Sequence, residues 1–273
     1  MSAMAISPTA MPLLEVDKVT VRFGGVLAID DVSFTVERGD LLGLIGPNGA
    51  GKTTMLRAIT GVVQPERGSV RLSGRPLDGM SIERRIRLGM ALSQQLVKPF
   101  RDITVADNVA LAAGYRKTLS PLRALLSLSR SEELRVAGEL LERVGIARHG
   151  EDNPAVMPLG VLKRLEVARA LALQPLLLLL DEPLAGLNSQ EAESLATTIS
   201  DINAQGVTIV LIEHNLGEVL RICKRLVVLD NGRKIAEGEP KSVMHLETVR
   251  AAYLGNGAGD ERHNRQPRGG DDA

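Results

Sequence analysis

Residues 43–56 read GLIGPNGAGKTTML, and within them Gly46, Gly51, Lys52 and Thr53 keep the spacing G-x-x-x-x-G-K-[ST]. The run DLLGLIG before the loop is apolar enough to be a strand buried on both faces, and the residues after it suit a helix. A loop in that setting, formed by Gly46, Pro47, Asn48, Gly49, Ala50 and Gly51, can close its backbone N–H groups around a phosphate. The N-terminus of the following helix adds positive potential there. Lys52 is placed to reach β- and γ-phosphates, and the Thr53 hydroxyl, with Thr54 beside it, to meet a Mg²⁺. A chance match in a glycine-rich turn arises in roughly one chain per hundred at ordinary glycine content, and the strand–loop–helix setting makes it rarer still.

Outward from the loop, two textures alternate. LLEVDKVTVRF and DVSFTVERG alternate as half-buried strands, and GSVRLSGRPL reads as another strand before a turn. LLLLLDE and VTIVLIEH are continuous apolar runs like DLLGLIG. RLVVLDNGRKIAEG reads as a hairpin turning at Asn231-Gly232. Residues from about 100 to 172 are instead helical in period, with leucines at helical spacing among arginines and glutamates. The expectation is an α/β core with a parallel or mixed sheet, an N-terminal antiparallel β subdomain, and a helical subdomain inserted between two core strands. Residues 1–12 and 256–273 are expected to be disordered, which leaves 13–255 as the folded domain.

The composition narrows the function classes. The chain has 273 residues, 44% of them hydrophobic, with 33 basic and 33 acidic side chains and a net charge of zero. A nucleic-acid binder wants a basic face and stacking aromatics; here aromatics are 2% of residues, so no nucleic-acid partner is expected. The single cysteine, Cys223, lies in an apolar stretch and reads as core filler in a reducing compartment. The N-terminus has no basic segment before an apolar run, and the longest apolar block, PLLLLLDEP, is far short of the ~20 residues of a membrane span. The chain is expected to be soluble, able to dock on a membrane protein.

Four more places carry chemistry. Asp181 and Glu182 end the LLLLLDE strand, and ligands of open α/β sheets bind beyond strand carboxyl ends. There Asp181 can hold Mg²⁺ through water and Glu182 can deprotonate an attacking water; the plainer reading is two solvated acids before a proline turn. His214 ends the VTIVLIEH strand and is either a bond to a γ-phosphate or its water, or an ordinary surface or core histidine. Gln94 and Gln95 sit where the helical texture begins and read equally as solvated amides. Phe23, beside two glycines, can stack on a base or close a strand end.

With these residues in hand, the chain resembles the ATP-binding subunits of ABC transporters over residues 13–255. The order is that of the family: A-loop aromatic, Walker A, Q-loop, helical subdomain, signature, Walker B, D-loop, H-loop. RFGGVLAIDDVSF, GLIGPNGAGKTT, DEPLAGLN, IEHNL and the terminal VRAAYLG resemble one branch, the ATPase subunits of branched-chain amino-acid and related amide uptake systems. The resemblance implies ATP and Mg²⁺ as ligands, Phe23 as adenine-stacking aromatic, Gln95 as the Q-loop glutamine at Mg²⁺, Glu182 as catalytic base with Lys52, and His214 as switch histidine. Residues 185–188 resemble the D-loop, although Asn188 and Glu191 also suit the cap of the next helix. Implied partners are a second ATPase subunit and membrane permease subunits, with a solute-binding protein reached only through the permease. The implied location is the cytoplasmic face of the plasma membrane.

One loop departs from the family. By register with KRLEVARAL, MPLGV at 157–161 occupies the position where most relatives have a loop resembling L-S-G-G-Q. Gly160 remains, but Pro158 replaces the serine and Val161 the glutamine, with Leu159 between them. Proline suits a helix entrance and offers neither hydroxyl nor N–H. Losing one donor aimed at developing charge costs roughly 3–4 kcal/mol in a barrier. The expectation is a weakened signature facing the partner's ATP, and a heterodimer is favoured over a homodimer. A nucleotide-gated dimerising module with little hydrolysis and a soluble, non-transport ABC ATPase are the alternatives.

Overall fold

In the computed structural model, which describes residues 11–93, 99–118 and 130–255, the continuous apolar runs form the centre of a six-stranded sheet. Its strands are β3 (Leu41–Ile45), β6 (Met90–Ser93), β7 (Leu177–Asp181), β8 (Thr208–Ile212), β9 (Arg225–Asp230) and β10 (Arg233–Gly238), in the order β10-β9-β3-β8-β7-β6. The pairs from β9 to β6 are parallel, and β10 closes the edge antiparallel to β9. The tight turn between them has φ 45° at Asn231 and 78° at Gly232, as Asn-Gly hairpins require.

The sheet explains why these strands are apolar without alternation. Leu41, Leu178, Leu180, Ile209 and Leu211 face one core; Leu42, Leu177, Leu179, Val210 and Ile212 face another, and all are nearly or wholly buried. Each such side chain contributes about 1.5–3 kcal/mol by leaving water. The second core is shared with a four-stranded antiparallel sheet of β1 (Leu14–Phe23), β2 (Val26–Val36), β4 (Arg67–Leu72) and β5 (Arg75–Pro76), ordered β2-β1-β4-β5. Between the sheets runs α1 (Lys52–Thr60), burying Met55, Leu56, Ala58 and Ile59. Its C-terminus is held by Arg85 of α2 (Ile82–Arg87). That guanidinium, only 2% exposed, donates to the carbonyls of Ala58 (3.0 Å), Ile59 (2.7 Å), Leu77 (2.9 Å) and Met80 (3.3 Å).

Between β6 and β7 the described chain is helical: α3 (Val105–Thr118), α4 (Ser131–Arg143) and α5 (Leu159–Ala172) pack on one another and on the first core. The chain continues through α6 (Ser189–Ala204) and α7 (Leu216–Ile222) to α8 (Pro240–Met244) and α9 (Glu247–Gly255), whose Val249 is wholly buried. Cys223 lies in the core, where burial pushes its thiol up to about 12. The terminal stretches 1–10 and 256–273, and residues 94–98 and 119–129, lie outside the described residues, so Gln94 and Gln95 do too.

Candidate functional site

Three of the parallel strands, β3, β7 and β8, deliver their ends to one place. After β3, residues 46–51 loop into α1, and the Lys52 side chain folds back across the loop. Its Nζ donates to the carbonyls of Gly46 (2.7 Å) and Pro47 (2.9 Å). Burial lowers the Lys52 ammonium from its ordinary value, with Glu182 and Asp181 opposing the shift. The loop is braced from outside: Gly232 N–H donates to Ala50 O (3.1 Å), and Asp30 N–H of β2 to Gly232 O (2.8 Å).

After β7, Glu182 N–H still bonds Ile212 O of β8 (2.9 Å), while its own φ turns to +50°. A non-glycine residue in that region costs about 1–2 kcal/mol, and here the turn sends the Glu182 carboxylate toward β8's end. There its Oε1 lies 2.5 Å from His214 Nε2. Glu182 and His214 line one cleft of about 550 Å³ together with residues 48–54, Val26, Ala28, Asn231 and Gly232. Phe23 is not among the lining residues. It stands half exposed at the end of β1, directly across the ladder from Val26, which is.

Asp181 sits behind this contact. Its carboxyl is pushed above its ordinary value, first by burial and then by Glu182, and its Oδ1 is buried with no hydrogen-bond partner among the described residues. A buried acid oxygen without a partner beside a Thr53-lined cleft is what a Mg²⁺ site, filled out by water and phosphate oxygens, would use. Among the described residues no three His, Cys, Asp or Glu side chains converge as a metal cage. Thr53 and Asp181 fit Mg²⁺ with phosphate present; Gln95 is outside the described residues.

Two residues that the sequence reading passed over shape the site. Glu213, 2% exposed, accepts from Leu184 N–H (2.6 Å) through Oε1 and from His214 N–H (3.1 Å) through Oε2, and also from Asn215 N–H. It joins the turn after β7 to the turn after β8. Burial raises its carboxyl, against the pull of those three N–H donors. Lys163 is 4% exposed, and its Nζ donates to Glu182 O at 3.1 Å. A buried strand-end acid and a long lysine reaching a carbonyl carry no sequence signal beyond their neighbours.

The MPLGV loop lies apart, at the start of α5. Pro158 is the N-cap, with φ −62° and ψ 155° and no side-chain cap bond; Leu159 is the first helical residue. Pro158, Gly160 and Val161 border a separate cleft with Arg148, Arg164 and Glu191. Asn188 and Glu191 form a full capping box on α6, so the helix-cap reading of Asn188 is seen directly.

A phosphate loop between a parallel strand and a helix, with two strand-end carboxylates and a histidine beside it, defines an α/β P-loop ATPase fold. The family model for ABC transporters matches residues 29–185. The LivG branched-chain amino acid transport ATP-binding protein of Salmonella typhimurium is 36% identical over 252 residues, covering 90% of this chain and 99% of its own length. BraF of Pseudomonas aeruginosa is 35% identical over 250 residues, 89% of this chain and 98% of its own. A solved nucleotide-free ATP-binding cassette from an ABC transporter superposes with a TM-score of 0.77 at 28% identity, covering 89% of this chain and 99% of that one. This chain belongs to the ABC transporter ATP-binding family. It is an ATP-binding subunit of an ABC transporter, an ATPase whose hydrolysis is coupled to transport. No helix among its described residues is long and apolar enough to cross a membrane.

Proposed function

We propose that this chain energises an importer for branched-chain amino acids or related small polar solutes, beside a second, different ATPase subunit on membrane permeases at the cytoplasmic face of the plasma membrane. The observation that carries the catalytic part is the Glu182–His214 contact at the rim of the phosphate-loop cleft. The solute follows from likeness to LivG and BraF, whose names specify branched-chain amino acid transport. The LivG relative from Escherichia coli, 37% identical over 257 residues, agrees.

In this reading the amides of residues 48–54 and the Lys52 ammonium hold the β- and γ-phosphates of ATP. Thr53, Asp181 and Gln95 would hold Mg²⁺. When bound, the ion neutralises charge on the phosphate oxygens. Glu182 takes a proton from the water that attacks the γ-phosphorus as the bond to the leaving ADP oxygen breaks. His214, already in contact with Glu182, keeps that carboxylate aimed and bonds the γ-phosphate side. Phe23, one ladder step from Val26, is the base-stacking ring. Docking on the permease is supported by a cleft of about 400 Å³ lined by Phe100, Leu111, Ala112, Tyr115 and Leu173. Phe100 and Leu111 are each about half exposed.

Pro158, Leu159, Gly160 and Val161 face the ATP held by the second subunit. Pro158 brings no hydroxyl there, so that site turns over slowly while this chain's own site, served by the partner's loop, is competent. The same proline is what favours the alternative of a dimerising module with little hydrolysis. Steady-state ATPase activity of the purified chain, against Glu182→Gln as background, separates the readings. Background activity rescued by Pro158→Ser supports the asymmetric pair. Full activity in the wild-type chain refutes it. The solute is tested by labelled leucine uptake in cells carrying the Glu182→Gln chain; unimpaired uptake refutes it.

A further inference from the structure

Glu182 keeps its carboxylate at the cleft rim against a local cost, since its φ of +50° lies where side chains are disfavoured. Its Cα stands between two peptide units, and the direction of the side chain follows from how both are held. The unit before it is fixed by the Glu182 N–H, which bonds Ile212 O of β8 at 2.9 Å. The unit after it leads into Pro183, which has no N–H, so hydrogen bonds can hold this peptide only through its carbonyl. Glu182 O accepts from Ala185 N–H at 3.2 Å and from Lys163 Nζ at 3.1 Å. Ala185 belongs to the same turn and moves with it. Lys163 comes from α5, the helix that opens at the MPLGV loop, and ties the turn to a separate element.

The place of this lysine points to the reaction rather than to the fold. It is 4% exposed and is not among the residues lining the phosphate-loop cleft, so it reaches Glu182 from the protein side. Burial lowers its ammonium from the ordinary value, while Glu213, Glu182, Asp181 and Glu166 oppose the shift. For stability alone, an apolar side chain of the same size would serve a buried position as well or better.

We propose that Lys163 is a positioning residue for hydrolysis: from α5 it holds the Glu182 carbonyl, and with it the turn that aims the Glu182 carboxylate at the attacking water. Without that donor the Glu182–Pro183 peptide can tilt, and the carboxylate leaves its place beside His214. The phosphate contacts of residues 48–54 do not depend on it. The inference rests on the reading of Glu182 as the catalytic base.

The test is steady-state ATP turnover by the transporter complex isolated through a tag on the full-length chain, with MgATP affinity of the chain alone followed by a fluorescent ATP analogue. The variants are Lys163→Met, which keeps the apolar stem and removes the ammonium, and Glu182→Gln. Lys163→Met is expected to lower kcat about tenfold while MgATP affinity stays within about twofold of wild type, the split of a group that acts on the reacting geometry and not on binding. Should Lys163→Met fail to fold, Lys163→Gln takes its place under the same criteria. Wild-type kcat in the Lys163 variant, with Glu182→Gln inactive, overturns the proposal alone and leaves the base reading standing. A loss of affinity as large as the loss of kcat also overturns it, because the lysine then supports the fold of the site at large. Full turnover in Glu182→Gln removes the base reading, and the proposal with it.

Discussion

Replacing Glu213 by glutamine should damage catalysis far more than it weakens nucleotide binding. The carboxylate accepts from Leu184, His214 and Asn215 N–H groups in a place only 2% exposed. Hydrogen bonds to a charged group are worth about 1.5–3 kcal/mol, and a stranded buried N–H costs about 1–3 kcal/mol. Glutamine keeps one oxygen, which the short 2.6 Å contact to Leu184 should claim. Its NH₂ then meets the His214 N–H, donor against donor. Glutamine is also relieved of the desolvation that raises the Glu213 carboxyl, so the net loss is about 2–4 kcal/mol. In a chain of this size that lowers the melting temperature by roughly 5–15 °C. The displaced His214 should lower kcat at least tenfold, while the affinity for ATP stays within about twofold because β3 and α1 are untouched. The pH dependence has a definite sign. A folded pKa raised from 4.5 means that the carboxyl favours folding at low pH and that this share is lost as pH climbs through the folded value. Glutamine has no such loss, so the melting gap between wild type and variant should be widest in acid and narrow as pH rises above 4.5. A variant with wild-type kcat, or a gap that widens with pH, would refute the reasoning.

Arg85→Met should lower the melting temperature by roughly 10 °C or more, because removing a buried guanidinium from four carbonyls costs about 3–5 kcal/mol; a shift under 3 °C would show that the cap on α1 is dispensable. Asp181→Asn should melt higher than wild type without Mg²⁺, since burial and Glu182 raise the Asp181 carboxyl and ionising it opposes folding. That advantage should open as pH climbs above 3.8, and the extra stabilisation by MgATP should be lost; an equal Mg²⁺-dependent shift in both chains counts against Asp181 as the ion's ligand.

The parts of the structure that were legible in the sequence are those whose cause is local. Leu177–Leu180 reads as a buried parallel strand because both of its faces meet apolar cores, which is what removes alternation. Asn231-Gly232 reads as a turn because both residues need positive φ. The loop at Gly46–Gly51 reads from its spacing. The illegible parts depend on backbone groups brought together from afar. Nothing near Glu213 says that one of its partners is the N–H of Leu184, 29 residues away. Nothing in KRLEVARAL says that Lys163 is buried against Glu182 O, since charged residues at helical spacing ordinarily make a solvated face.

The same physics shows why the altered loop is tolerated by the fold. Pro158 as N-cap has the extended backbone that a cap requires, and its carbonyl still accepts the first helical N–H groups, from Val161 and Leu162, at 3.1 Å each. What it withholds is the side-chain oxygen that would cap the helix, a deficit of about 1 kcal/mol. A Cβ at Gly160 would approach Glu191 Oε1 to 3.1 Å, so the carboxylate that accepts from Asn188 N–H would have to give by a few tenths of an ångström. Folding therefore constrains both Gly160 and Pro158 only mildly. A serine at 158 would serve both demands at once, its oxygen accepting a helical N–H and its proton left to donate outward. Pro158→Ser should therefore raise the melting temperature by about 2–4 °C whether or not the loop meets a phosphate. Only a rise in turnover accompanying it would show that the loop acts on bound ATP; stabilisation without any gain in turnover, alone or with the partner subunit, would mean that the loop is an ordinary helix start.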